Sequence, residues 1–400
     1  MPNRKFEIAA GLDTGSACTR CVVGSLENGR LRYVGHGEVR SSGWSRGRIV
    51  DQHALTSDVQ TAIQRAESIQ KVSVEGVVAG IGGAGVQGFN NRGVYEFGQP
   101  RQVTSDDLKY AVERAIRIRL EDGRSMLQLF PQDFTVDGRA GYRNPRGSTC
   151  RRLEANVYIA TASTMEQECI VNAVHEAHYA VEETVFAPMA AAYAGILKDD
   201  RNRGVALVDI GFDSTGVVVY DGESMLLTKS LPISADHFTR DVAFGMKVGY
   251  EDAEALKTSY GCAVLGLTAD NSLIELPSPE GRPSREAPRR YLNEILEARA
   301  EELFGYVKRE LAAIGMDQNL LEGVVLTGGG ALLNGMCDMA EQVLNCQARN
   351  GLPLGIEDLP EELENPAWTT AAGLMMYSAR LKLRRDGRRK TPGFIGMVFR

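Results

Sequence analysis

The chain alternates between two rhythms of apolar and polar positions. The first stretch is strand-rich. Apolar segments run near 6–12, 19–25 and 31–38, and a helix is expected near 53–70, where Leu55, Val59, Ile63 and Ala66 recur at helical spacing. Gly76-Val77-Val78-Ala79-Gly80-Ile81 is a further strand that ends in Gly82-Gly83. The texture changes after about residue 85. Val103-Thr104-Ser105-Asp106-Asp107 is a helix start with Thr104 as N-cap and Asp107 three residues later, and Leu108, Ala111, Val112, Ala115 and Ile116 then form one apolar stripe. Strand-like pieces at 126–136 and 152–160 flank the turn-rich stretch 137–149. This pattern predicts a small α+β unit inserted within a first α/β layer.

The α/β rhythm then resumes, with helices near 165–178 and 187–197 and a strand that begins at Val205. A Pro-rich loop at 276–288 precedes a long amphipathic helix at 290–314. The buried strand Val324-Val325-Leu326-Thr327 enters Gly328-Gly329-Gly330, with a helix expected from Ala331. Residues 369–384 read as a last helix, after which the chain turns basic.

At 400 residues the chain can bury two or more cores. A formal net charge of −7 argues against general nucleic-acid binding, and no nucleic-acid partner is expected. No run of about 18 apolar residues predicts a spanning helix. The first residues lead into a strand without the apolar core of a signal peptide, so export is not expected. Seven scattered cysteines fit reduced thiols. Cys18-Thr19-Arg20-Cys21 has C-x-x-C spacing, but on a strand positions three apart point to opposite faces, against a redox or zinc role. His175 and His178 are expected to share a helical face as a surface pair.

Chemistry concentrates in four motifs. Ile8-Ala9-Ala10-Gly11-Leu12-Asp13-Thr14-Gly15-Ser16 runs up an apolar strand into an acidic, hydroxyl- and glycine-rich turn and returns at Arg20. Val205-Ala206-Leu207-Val208-Asp209-Ile210-Gly211-Phe212-Asp213-Ser214-Thr215 repeats the pattern and returns at Gly216. Glycine in such turns lets backbone amides approach phosphate oxygens. Thr327-Gly328-Gly329-Gly330, a strand end before a helix, offers a third phosphate-compatible turn. In Asp252-Ala253-Glu254-Ala255-Leu256-Lys257, Glu254 and Lys257 share a helical face and could grip two ribose hydroxyls. Each motif alone has a plain reading, a hairpin turn or a surface i,i+3 ion pair. Their order along the chain carries the weight.

That order resembles the actin-like ATPases. In detail, and over nearly its whole length, the sequence resembles the FtsA family of bacterial cell-division proteins. The residues carrying the resemblance are Gly11 to Ser16, Phe186-Ala187-Pro188-Met189-Ala190-Ala191-Ala192-Tyr193, Asp252 to Lys257, Tyr260-Gly261-Cys262-Ala263, Val325 to Gly330 and Thr370-Ala371-Ala372-Gly373-Leu374. Val103 to Asp107, Phe130-Pro131-Gln132-Asp133-Phe134 and Asn144-Pro145-Arg146-Gly147 in the inserted unit are the most specific.

The resemblance implies an α/β, actin-like (ribonuclease H-like, duplicated) two-lobed ATPase fold with an inserted α+β subdomain. Residues 1–84, continued at 163–195 and 371–385, would form the first lobe, and 85–162 the insert. Residues 196–230 and 300–370 would form the second lobe, 231–299 a subdomain of it that binds the FtsZ peptide, and 386–400 a basic and apolar tail. Asp13 and Asp209 would be the catalytic acids, holding Mg²⁺ through its water shell. ATP would be bound by Thr14, Gly15, Ser16, Gly211, Ser214 and Thr215 on the phosphates, Glu254 and Lys257 on the ribose, and Gly328, Gly329 and Gly330 beneath the nucleotide.

Arg285 and Arg299 would face the C-terminal peptide of FtsZ. Their plain reading is a solvated basic face, with Arg289 and Arg290 beside Glu286, Glu294 and Glu297. The insert would serve self-association into filaments, and later division proteins would be recruited. The tail, with Arg380, Lys382, Arg384, Arg385, Arg388, Arg389 and Lys390 before Phe394, Ile395, Met397, Val398 and Phe399, would bind an anionic membrane surface or else be a disordered basic end. The expected location is the cytoplasmic face of the inner membrane at the division site. A PilM-like pilus-assembly protein and a phosphotransferase share the core and are the competing readings, the latter lacking a recognisable catalytic base and sugar-binding insertion.

The second turn departs from the family pattern D-I-G-G-G-T-x-D. Phe212 and Asp213 replace two glycines, and Gly216 replaces the final acid. At about 4 Å and an effective dielectric of about 20, Asp213 beside a phosphate costs roughly 4 kcal/mol per charge pair before screening. Nucleotide binding with weak or absent hydrolysis is therefore expected.

Overall fold

The computed structural model describes residues 7–222, 224–269, 272–277 and 285–388, with side chains described as far as residue 384. Two five-stranded arrays repeat one strand order. In the first, Ala180–Phe186, Gly76–Ile81, Glu7–Thr14, Cys18–Glu27 and Arg30–Arg40 lie side by side. The second places Ala348–Asn350, Val324–Thr327, Val205–Ile210, Thr215–Asp221 and Ser224–Leu231 in the same order. In both, the first three are parallel and the last three form an antiparallel meander. Gly76–Ile81 is buried at every position, as a central parallel strand covered on both faces must be.

The helix Gln52–Gln70 covers the first array. Asp51 caps it by accepting from the Ala54 amide, Lys71 ends it in the left-handed conformation, and Leu55, Val59, Ala62, Ile63 and Ala66 are fully buried beneath it. Arg289–Ala313 does the same for the second lobe through Leu292, Leu296, Ala300, Leu303, Phe304 and Val307. The helices Ala187–Gly195 and Thr369–Arg388 carry the chain between lobes and cross each other. Alanines line the crossing, and at Gly373 even a methyl group would collide with the Ala190 carbonyl.

The inserted unit contains Gln87–Gln102, Ser105–Ile116, Arg124–Val136, Arg139–Tyr142 and Thr149–Ser163. Its helix begins with the expected capping box. Thr104 Oγ1 accepts from the Asp107 amide at 3.3 Å, and the Thr104 amide donates to Asp107 at 2.8 Å. Although the chain enters this unit from the first array, the sheet of the insert extends the second. A single bridge between Lys229 and Gln87 joins them into nine strands. Tyr158 Oη donates to the Thr228 carbonyl at 3.1 Å and accepts from the Thr228 amide at 2.7 Å. Gln132 Nε2 donates to the Met225 carbonyl at 2.8 Å, while Gln128 Oε1 accepts from the Phe186 amide of the first lobe at 3.1 Å.

Several sequence expectations shift. The helix expected to reach residue 178 ends at Glu176, and His178 is left-handed (φ 68°), so His175 and His178 do not share a helical face. The helix expected from Ala331 is a 3-10 turn, Gly329–Leu332, and the α-helix starts only at Met336 after the left-handed Gly335. The last helix runs to Arg388, and residues 389–400 of the tail lie outside the described residues. All seven cysteines are free thiols. Among the described residues no helix is long and apolar enough to cross a membrane.

Candidate functional site

The two acidic turns, the glycine turn and the helix Tyr250–Tyr260 border one cavity of about 520 Å³, a volume suited to a nucleotide-sized ligand. Asp13, Thr14, Gly15 and Ser16 line it from the first turn, and Asp209, Gly211 and Ser214 from the second. Glu254, Lys257, Gly328, Gly329 and Gly330 complete the expected set. Thr215 is the exception. Ser214 and Gly216 border the cavity, so strand alternation turns Thr215 to the other face, where it is fully buried. The sequence expectation for Thr215 is corrected accordingly.

The turns are equivalent in register. Asp13 stands opposite Arg20 across the first hairpin, and Asp209 stands opposite Gly216 across the second. The second turn closes by a hydrogen bond from the Gly211 amide to the Ser214 carbonyl at 2.9 Å. Its unusual residues have neighbours. A short hairpin, Trp44–Ser45 paired with Arg48–Ile49, brings Gly47 against Asp213, where a methyl group on Gly47 would sit 3.4 Å from the Asp213 Cβ. Gly216 lies under the Pro188 ring, so the acid of the family pattern would collide there.

Burial sets the electrostatics. The Asp13 carboxyl is pushed from 3.8 to about 7, first by burial and then by the charge of Asp209, with Arg20 opposing. Asp209 is pushed up to about 6 by burial, opposed by the Thr370 hydroxyl, which donates to Oδ2 at 3.2 Å. Two such acids facing a cavity fit a cation-bearing polyanion. Among the described residues no cluster of three or more metal-ligating side chains exists. Thr14 Oγ1 is buried without a hydrogen-bond partner and lines the same cavity, an orphan that a ligand oxygen would satisfy.

The linkage sign follows from Asp13. Between about pH 4 and pH 7 the folded chain keeps a proton that the unfolded chain has released, so stability falls as pH rises through that window. In EDTA, Asp13→Asn should lessen this slope, leaving the part of the same sign that Asp209 contributes, and should make the protein about 4 kcal/mol more stable than its parent above pH 7. Urea melts at pH 5 and pH 8 check it. Equal slopes in the two proteins would count against the buried charge.

Glu254 and Lys257 form their i,i+3 pair at 2.7 Å, but not on a solvated face. Lys257 is 8% exposed and also donates to Thr239 Oγ1 at 2.8 Å, and Thr239 donates to Glu254. Arg285 and Arg299 lie away from the cavity lining. Arg299 is bound to Asp241 and Glu302, each at 2.5 Å, and Arg285 donates to the Lys247 carbonyl at 3.4 Å. Sequence reading missed Arg20, Thr370 and Thr239. Cross-strand register opposite Asp13 was the one signal that pointed to Arg20.

The family model described as "Cell division protein FtsA" matches residues 206–373, and "SHS2 domain inserted in FTSA" matches residues 83–161. Cell division protein FtsA of Escherichia coli K12 is 31% identical over 379 residues, covering 93% of this chain and 90% of that protein. The Borreliella burgdorferi protein of the same name is 32% identical over 373 residues, covering 92% and 90%. Among solved structures, the PilM-PilN type IV pilus biogenesis complex aligns with a TM-score of 0.67 at 17% identity, over 93% of this chain and 98% of that one. MreB5 of Spiroplasma citri bound to AMPPNP aligns with a TM-score of 0.57 at 12% identity, over 95% and 98%. At those identities the structural matches speak to the fold, which is the actin-like one.

Proposed function

The chain belongs to the FtsA family of bacterial cell-division proteins, and on that footing we propose that it binds ATP with Mg²⁺ between its lobes and links the FtsZ ring to the cytoplasmic membrane. The supporting observation is the convergence of both acidic turns, the glycine turn and the Glu254–Lys257 pair on one cavity containing two buried acids. Asp13 and Asp209 hold the hydration shell of the metal, Thr14 to Ser16 with Gly211 and Ser214 receive the phosphates, and Glu254 with Lys257 takes the ribose. Mg²⁺ supplies charge neutralisation to the polyphosphate.

Hydrolysis is slow in this reading. Phe212 and Asp213 restrict approach to the phosphates, and Gly216 supplies no acid. Nucleotide thus acts as a structural ligand that closes the lobes and favours filaments of the chain. Arg285 and Arg299 receive the acidic, apolar FtsZ peptide, with Arg299 exchanging its Asp241 contact for it. The insert serves self-association, later division proteins join the assembly, and the tail makes a peripheral membrane contact.

The test is titration of ATP with Mg²⁺ into the full chain, alongside a pull-down with the FtsZ C-terminal peptide. Asp209→Ala should weaken ATP binding at least about tenfold, with only slow turnover in the parent. A parent with brisk steady turnover that Asp209→Ala abolishes would overturn the scaffold reading, and absence of ATP and peptide binding would overturn the whole.

A further inference from the structure

The mouth of the cleft carries two opposite charges without partners, one from each lobe. Beside the nucleotide-sized cavity lies a second one of about 500 Å³, and the two share Ser16, Trp44, Phe212 and Asp213 in their walls. Of the charged side chains lining the second cavity, Asp236 is held by Arg240 at 2.5 Å and by the Tyr250 hydroxyl at 2.6 Å. Arg46 and Asp213 remain, and neither side chain makes an ion pair or hydrogen bond among the described residues. We propose that Arg46, on the hairpin 44–49 of the first lobe, latches onto Asp213 of the second lobe across this mouth and slows the release of a bound nucleotide. This rests on the nucleotide reading above, and it gives Asp213 a role that a glycine there could not fill.

The hairpin is built to present that charge. Its base is fixed, because Trp44 and Ile49 pack against the core of the first lobe and the Val50 and Asp51 amides both donate to the Gly43 carbonyl, at 2.9 and 3.2 Å. Its tip is a two-residue turn in which Arg46 (φ 51°) and Gly47 (φ 71°) are both left-handed. Such a turn favours Asn-Gly, and arginine takes the first of these positions against its preference. The turn gains nothing from an arginine there, which points to the side chain. The tip also reaches the other lobe. A methyl group on Gly47 would lie 3.4 Å from Asp213 Cβ and 3.8 Å from its Cγ, so the carboxyl group sits beside the neighbour of Arg46.

Charge makes the same point. Arg46 is exposed and Asp213 half-buried, so each is at least partly solvated as the mouth stands. Pairing them would neutralise the charge that otherwise repels the phosphates next to it. A ligand leaving through the mouth must then part the pair before it moves.

The experiment follows release of N-methylanthraniloyl-ATP, chased with excess ATP in Mg²⁺, from the full chain. The proteins are the parent, Arg46→Asn, Asp213→Asn and the double variant, with a thermal melt of each. Asparagine suits the left-handed turn, so Arg46→Asn should melt at or above the parent. It should nonetheless release nucleotide about threefold faster or more, as expected for loss of a partly screened ion pair. In the Asp213→Asn background the same change should leave release unaltered, since the coupling belongs to the pair. Release unaffected by Arg46→Asn would overturn the proposal. So would equal acceleration with and without Asp213, which would assign Arg46 to the phosphates directly. If Asp213→Asn melts too low to measure, Asp213→Ser takes its place in the cycle. A parent that binds the probe while the cycle shows no coupling sinks the latch alone. A parent that binds no probe sinks the nucleotide reading and this inference with it.

Discussion

Gly328→Val should abolish the proposed ATP binding and destabilise the protein by about 3–5 kcal/mol. Gly328 has φ 82°, a left-handed conformation that a β-branched residue resists, and it closes the strand Val324–Thr327 beside the second acid. A Cβ there would lie 2.5 Å from both Asp209 Oδ1 and the Ile210 carbonyl oxygen. Neither atom can yield cheaply. One belongs to the Asp209 carboxylate, which Thr370 holds in place, and the other to the backbone of a central strand. Urea unfolding with an ATP titration measures both effects. ATP affinity within twofold of the parent would show that the glycine turn lies clear of the ligand.

Gly373→Leu has the larger structural effect. The two inter-lobe helices touch backbone to backbone at this residue, and any side chain drives them apart against a shell of fully buried alanines. Overpacking of this kind, at a point with no flexible neighbour, costs about 3–5 kcal/mol or more. The expected result is little soluble folded protein and an early, broad melt. Gly305→Ala serves as the matched control. Gly305 sits within the helix Arg289–Ala313 with open space where the methyl would go, so that variant should gain about 0.5–1 kcal/mol. A Gly373→Leu protein that melted like its parent would mean that the helices cross elsewhere.

What was legible in the sequence was what composition announces locally. Asp13 to Ser16, Gly211 and Gly328 to Gly330 combine acids, hydroxyls and glycines at strand ends, and the structure brings them to one cavity. Thr215 was misplaced because its hydroxyl fits the composition of a phosphate turn, while its position already belongs to the strand and obeys alternation. Arg20 was illegible for the converse reason. Nothing near it in sequence marks it, and only pairing with Asp13 gives it a role. The strand Gln87–Gln102 went unseen because it is mostly exposed and carries few apolar positions. That its sheet joins the second lobe follows from contacts between residues far apart in the chain, such as Tyr158 with Thr228, which no local pattern encodes.

One strand of the insert, Arg124–Val136, is fastened to both lobes, by Ser125 and Gln128 to the first and by Gln132, four residues beyond Gln128, to the second. That spacing is about 13 Å of extended backbone, which does not stretch. Any rotation of one lobe against the other therefore works this strand as a lever arm, and it must either release a fastening or swing the insert as a rigid paddle. The mouth of the cleft and the tilt of a distant surface are in this way gauges of a single mechanical coordinate.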